Sequence, residues 1–256
     1  MTRTDTPARR PAAGRVVVLF VALALLSSAS CGSAAPLEHQ MDNNGPTTPA
    51  PDTEAGIGTG TDAVAESVTD EAGDSVFSIE VTTCPPSTRA TAGSVAVAED
   101  LLVTVAHTFD QARWFRVVNA RGDTLVAEVI HLDADRDLAL IAVDNRTVTA
   151  VPLGDSADGA PLAIVTPAGD NQPRPATILR HVDASLDGRG ERRAVEVAAD
   201  IAIGDSGSPA VNAAGEVVGI VFAADRNEAR GWLVATAEIE VALAQPQGDP
   251  ISFSCD

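Results

Sequence analysis

Asp133 to Val143 reads DADRDLALIAV, a charged turn that runs directly into an apolar strand, Leu138 to Val143. Short apolar or β-branched runs of the same kind recur on both sides of it. Upstream stand Val76 to Thr82, Ser94 to Ala98, Leu101 to Val105, Trp114 to Asn119 and Thr124 to His131. Downstream stand Leu162 to Thr166, Ala176 to Val182, Arg193 to Ala198, Pro209 to Val211, Glu216 to Ala223 and Trp232 to Ala235. Many short strands separated by turn residues predict an all-β sandwich or barrel. Only Ala237 to Ala244 (AEIEVALA) reads as helical, a short terminal segment stopped before Pro246. There is no internal repeat of about 20 to 50 residues and no glycine-rich phosphate loop.

At 256 residues the chain has room for one ordinary domain plus accessory segments. Its 17 basic residues are all arginine, and against 36 acidic residues they leave a net charge of -19. Nucleic acid is therefore not an expected partner, since phosphate binding is built on clustered positive charge. Hydrophobic residues make up 45%, but with two Trp, six Phe and no Tyr the core must be aliphatic. The β-branched share of that core agrees with the strands.

The amino terminus is organised differently. Arg3, Arg9, Arg10 and Arg15 precede the apolar run Val16 to Leu26, and the small residues Ser27 to Ser30 precede Cys31. That is the layout of an export signal over residues 1–30. The run falls short of the ~20 apolar residues that a helix needs to cross ~30 Å of hydrocarbon, so a permanent span is not expected. Small residues followed by Cys31, Gly32 and Ser33 resemble the lipobox of bacterial lipoproteins, which implies lipidation of Cys31 and a membrane anchor. Ser28 stands where that family has Leu, and nearby cleavage giving a freely secreted product is the other reading. Residues 31–75 then read as the anchor cysteine and a disordered, self-repelling linker, with nine acidic residues, no arginine and four prolines between 32 and 75. The folded domain is expected at 76–256. If Cys31 carries lipid, Cys84 and Cys255 remain near the domain's two ends. An oxidising compartment permits a disulfide between them, and two buried free thiols are the alternative.

Three local sequences bear on one reaction: LVTVAHTF at 102–109, DADRDLALIAV at 133–143 and IGDSGSP at 203–209, in the order His, Asp, Ser. A serine hydroxyl is a poor nucleophile unless a base takes its proton, and an imidazole that titrates near neutral pH suits that role. A carboxylate on the far side of the ring fixes the tautomer and stabilises the imidazolium. Taken singly, each residue has an ordinary structural reading; in this order they form a constellation.

Together they resemble the trypsin/chymotrypsin-like serine peptidases, particularly bacterial HtrA-type and actinobacterial periplasmic trypsin-like proteases, over most of residues 76–245. The resemblance implies His107 as base, Asp137 as its orienting carboxylate and Ser206 as nucleophile. It assigns the oxyanion hole to the backbone N–H groups of Gly204 and Ser206, each such donor contributing about 3 kcal/mol in the transition state. It implies two six-stranded antiparallel β-barrels, about 76–152 and 160–235, with the site in the cleft between them. Asp200 takes the place of the specificity-pocket floor, implying selection of Arg or Lys before the scissile bond, and the domain's negative charge would attract basic substrates. A solvent-facing loop residue is the other reading of Asp200. Val221, Phe222, Ala223 and Ala224 resemble the strand that pairs with substrate, although Phe222 could instead be core.

There are three departures from the family pattern. Ser208 replaces the second glycine of the GDSGG motif. No IVGG-like segment precedes residue 94, so Asp205 is not expected to pair with a newly cut amino terminus, and Arg174 or Arg180 is expected to serve instead. With the chain ending at Asp256, the PDZ domain of HtrA-type proteases is not expected. No metal or organic cofactor is implied. The expected function is that of an exported serine endopeptidase acting on proteins or peptides. A catalytically silent module that binds a partner or polymer is the rival, and an esterase is a weaker one.

Overall fold

The computed structural model describes residues 16–18, 73–144, 148–167, 173–186 and 190–255. Cys31, most of the apolar run and nearly all of the acidic linker lie outside them. A three-residue strand, β1 (Val16–Val18), runs parallel to the later strand at Ala184 to Leu186. No helix among the described residues is long and apolar enough to cross a membrane.

The first sheet is antiparallel. It contains β2 (Val76–Thr83), β3 (Arg89–Ala98), β4 (Leu101–Thr104), β5 (Ala112–Val118), β6 (Thr124–Leu125), β7 (Ala127–Asp133) and β8 (Leu138–Val143). Its order is β6-β5-β2-β3-β4-β8-β7. The two ends of that order are consecutive in sequence, separated only by Val126, which is 72% exposed. One segment therefore serves both edges, pairing Leu125 with Val117 on one side and Ala127 with Val143 on the other. The expected barrel is a curled sheet that this bent segment brings round, without an unbroken ladder.

The second sheet closes fully. Its strands are β9 (Pro161–Ile164), β10 (Arg174–Leu186), β11 (Arg192–Ala198), β12 (Pro209–Val211), β13 (Val217–Asp225) and β14 (Arg230–Ala235). They run β10-β11-β14-β13-β12-β9, and β9 pairs back onto β10. The terminal helix α1 (Thr236–Leu243) buries Ile239 and Ala242.

Burial explains why so many strands read as unbroken apolar runs. On β8, Ala139 and Ile141 face the core of the first sheet, while Leu138 and Leu140 face a shared layer with Val165, Val211, Ile220 and Val234 of the second. On β13, Val218 and Val221 face the second sheet's core, and Val217 and Ile220 face the shared layer. A strand buried on both faces needs apolar residues at every position. Strand β3 begins five residues before the apolar stretch at Ser94. Its exposed first residues, Arg89 to Thr91, are strand because β2 pairs with them, with Arg89 opposite Thr82.

Cys84 and Cys255 form a disulfide with a Cα–Cα distance of 5.5 Å. Next to it, Phe253 stacks on Phe109 and meets Phe115 edge-on, with ring centres 5.4 and 5.9 Å away. The tail thereby backs the turn that carries His107.

Candidate active site

Strand β4 is buried at all four positions and leads through Val105 into a tight 3-10 turn, Ala106–Phe109. Two bonds to one carboxylate fix His107 there. Its backbone N–H donates to Asp137 Oδ1 at 2.8 Å, and its ring Nδ1 lies 2.7 Å from Asp137 Oδ2. A carboxylate can only accept, so Nδ1 is the donor and Nε2 is left with the lone pair. The His107 side chain is 26% exposed while that of Asp137 is wholly enclosed. Asp137 adopts φ 56°, unusual for a residue with a Cβ, and its carbonyl accepts from Ala106 N–H at 3.1 Å. The backbone strain is thus held by the same contacts that aim the carboxylate.

The turn before Asp137 is tied to the opposite barrel. Arg136 Nη1 donates to Asp133 Oδ2 at 2.8 Å and its Nε donates to Glu238 Oε2 of α1 at 2.9 Å. Arg193 Nε takes the other Glu238 oxygen at 2.9 Å. Burial works to raise the Glu238 carboxyl, but hydrogen bonds and charge from Arg193 and Arg136 outweigh it and hold the group below the usual range.

Ser206 is half-buried on a loop shaped by glycines. Gly204 has φ 100° and Gly207 φ 80°. A Cβ at Gly207 would overlap Gly93 O and Thr104 Oγ1. Gly93 N–H donates to Ser206 O at 2.7 Å, and Gly207 N–H donates to Val221 O at 2.7 Å. The loop is therefore seated on Gly93 of β3 and Thr104 of β4, three residues before His107. Among the described residues, the amides of Gly204 and Ser206 have no backbone acceptor, and no hydrogen bond joins Ser206 Oγ to His107. The structure thus brings His107 and Asp137 into contact and seats the Ser206 loop beside them. Free amides at this loop suit an anionic oxygen, and a serine–histidine bond often tightens only with substrate bound.

Asp205 is buried and turned inward. Its Oδ2 accepts from Ala202 N–H at 2.7 Å and lies 3.3 Å from Arg174 Nη1. Burial pushes its carboxyl above the ordinary value, only partly offset by the Ala202 amide and Arg174, with the charge of Asp200 adding to the rise. Of the two cations expected for Asp205, Arg174 is the one in place; Arg180 pairs with Glu196 at 2.6 Å.

The residues assigned to specificity lie as follows. Asp200 is exposed, its carbonyl accepting from Arg174 Nη1 at 3.2 Å. Register slips between Val221 and Ala223, a bulge that turns Phe222 into the shared core. Val221 is also core, Ala223 is buried, and Ala224 is half-buried. Ser208, in place of the motif's second glycine, is fully buried against Gly93, its hydroxyl without a hydrogen-bond partner among the described residues. Sequence reasoning missed Gly93 and Thr104. A glycine inside a strand, marking close backbone approach, was the available signal for the first.

The sequence pattern of the trypsin-like peptidase domain matches residues 91–220, about half of the chain, and this stretch includes His107, Asp137 and Ser206. The chain belongs to that family. Curated relatives include the mitochondrial serine protease HTRA2 of Bos taurus, 32% identical over 50% of this chain and 30% of that protein. Another is a probable periplasmic DegP-like serine endoprotease of Pseudomonas fluorescens, 30% identical over 50% of this chain and 28% of its own length. The chain thus spans about a third of the curated relatives it matches. The active form of the Rv3671c protease of M. tuberculosis shares the fold, with TM-score 0.66 and 21% identity over 76% of this chain and 88% of that one. The HtrA-type protease AlgW, solved with a tripeptide, gives 0.60 and 26% over 71% and 61%. For a trypsin-like peptidase domain, the Arg174–Asp205 contact is a cation supplied from within the chain, from β10.

Proposed function

We propose that this chain is a serine endopeptidase that hydrolyses peptide bonds through an acyl-enzyme formed on Ser206. The observation that carries the reading is the enclosed Asp137 carboxylate bound to both the backbone and the ring of His107, at 2.8 and 2.7 Å. Ser206 Oγ attacks the scissile carbonyl as His107 Nε2 takes its proton. The oxyanion is received by the N–H groups of Gly204 and Ser206, and the imidazolium returns its proton to the leaving amine. Water repeats the sequence on the acyl-enzyme.

The enzyme acts outside the cytoplasm, exported by residues 1–30 and held at the outer face of the membrane through lipidated Cys31, or secreted if Cys31 is not modified. Asp200, beside Arg174 and open to water, gives at most a mild preference for Arg or Lys before the scissile bond, because an exposed charge is screened. Cys31→Ala is expected to abolish labelling by a fatty-acid analogue, and labelling that survives it would remove the anchor.

The decisive experiment is labelling by an active-site-directed fluorophosphonate. Wild type is expected to label and Ser206→Ala to stay unlabelled. If neither labels while a control protease does, the silent binding module is the better reading.

A further inference from the structure

Arg192 opens β11, and its side chain is fully enclosed although it is among the largest in the molecule. Burying a guanidinium is costly unless an anion, acceptors and aromatic faces replace its water. Its Nη1 lies 3.6 Å from Asp137 Oδ2, its Nη2 donates to Gly190 O at 3.2 Å, and its central carbon sits 5.0 Å from the middle of the Phe222 ring. Asp137 Oδ2 is also the oxygen bound to His107 Nδ1 at 2.7 Å. The cation comes from one barrel and the carboxylate from the other. The bulge that withdraws Phe222 from the cleft supplies the ring beneath the guanidinium.

We propose that Arg192 is a positioning residue of the hydrolytic site, its enclosed charge holding the Asp137 carboxylate from behind so that it stays aimed at His107. The inference rests on the roles given to His107 and Asp137 above. An aspartate alone behind the histidine favours the imidazolium. A cation on the same carboxylate offsets part of that attraction while the carboxylate keeps its aim. Other charged groups border this one. Asp135 lies against Gly190, Glu191 and Arg193 flank Arg192 in the chain, and Asp183 stands opposite Arg193 on β10. Glu238 of α1 is bound by Arg193 and Arg136, and Asp110 follows the His107 turn. All of these stay the same in the variants compared below, so a difference between them reports the charge at position 192.

The test compares R192M, which keeps length and apolar packing without charge, with R192K, which keeps charge. Two readouts are taken across pH: kcat/KM on a peptide substrate, and the His107 ring resonance by NMR with no substrate present. R192M is expected to move both the acid limb of the profile and the pH at which the ring signal shifts upward by about half a unit to one unit. Its kcat should fall roughly 10- to 100-fold with KM changed less than about threefold, and R192K should restore most of both. An unmoved limb and ring signal in R192M would overturn the proposal whatever the loss in kcat, since packing alone would explain that loss. R192K behaving like R192M would overturn it too. If R192M does not fold, R192Q takes its place beside R192K with the same outcomes. A wild type that cleaves nothing, while its ring signal still differs from that of R192M, would sink the peptidase reading and leave this one standing.

Discussion

The two barrels hold their halves of the site by different physical means. On the first, His107 is fixed by directed hydrogen bonds to a carboxylate that no water reaches, itself braced by the Arg136 and Glu238 contacts. On the second, Ser206 is held by backbone shape, with glycines at φ 100° and 80° and a strand glycine that admits the loop. The aspartates differ in the same way. Asp137 has a ring and a guanidinium on one oxygen, whereas Asp205 has one amide and an Arg174 that is 34% exposed at 3.3 Å. The first half is organised by charge and fails when a charge is removed. The second is organised by space and fails when an atom is added.

The largest effect expected from breaking this contrast comes from its charged half. Asp137→Asn should lower kcat/KM on the order of 10⁴-fold, about 5.5 kcal/mol in the transition state, while leaving fluorophosphonate labelling slow but present. Gly207→Ala tests the spatial half. It adds only a methyl group, yet that group meets Gly93 O and Thr104 Oγ1 in a left-handed backbone, so thermal unfolding should shift down by several degrees and labelling should disappear. If Gly207→Ala labels like wild type, the loop does not depend on shape as described.

Opening the Cys84–Cys255 disulfide should cost about 2 to 5 kcal/mol, read as a lower denaturant midpoint, because its loop spans 171 residues. The loss should appear in the half carrying Phe109 and Phe115 before it appears at Ser206. Asp205→Asn should lower activity roughly tenfold with little change in stability at neutral pH. Its sign in acid is the informative part. With its carboxyl raised above 3.8, Asp205 holds its proton to higher pH in the folded chain than in the unfolded one, so it subtracts stability as pH rises through its folded value. Asp133, Glu196 and Glu238 are held low, so their contribution is present above the unfolded values of 3.8 to 4.5 and is lost as pH falls below them. Replacing Asp205 should therefore steepen the loss of stability toward acid. The smallest change is expected from Asp200→Ala, less than about threefold in kcat/KM between Arg and Leu substrates; a hundredfold change would restore it as a pocket floor.

The strands were legible where burial on one or both faces had written a pattern, as in LALIAV and VVGIVFAA. The start of β3 was not, because Arg89, Ala90 and Thr91 are exposed and form no apolar run, and β2 dictates their state. His107 and Asp137 were legible because both stand in runs that resemble a known family and the structure brings them into contact. Arg192 was invisible, since an arginine in the charged run GERR looks like any solvated residue until the opposite barrel encloses it. Asp200 is less legible, because counting back from Ser206 assumes a loop of fixed length, and its side chain stands in water.

Phe253 stacks against Phe109, and Cys255 bonds to Cys84, so residues that follow the whole second barrel in the chain complete the core around the His107 turn. The half of the domain that emerges first is the half finished last. A chain emerging amino terminus first would carry Phe109 and Phe115 uncovered until Phe253 has followed. A nascent chain that stops short of Phe253 should therefore show a formed second barrel before a settled His107 turn, and one that includes Cys255 should show both.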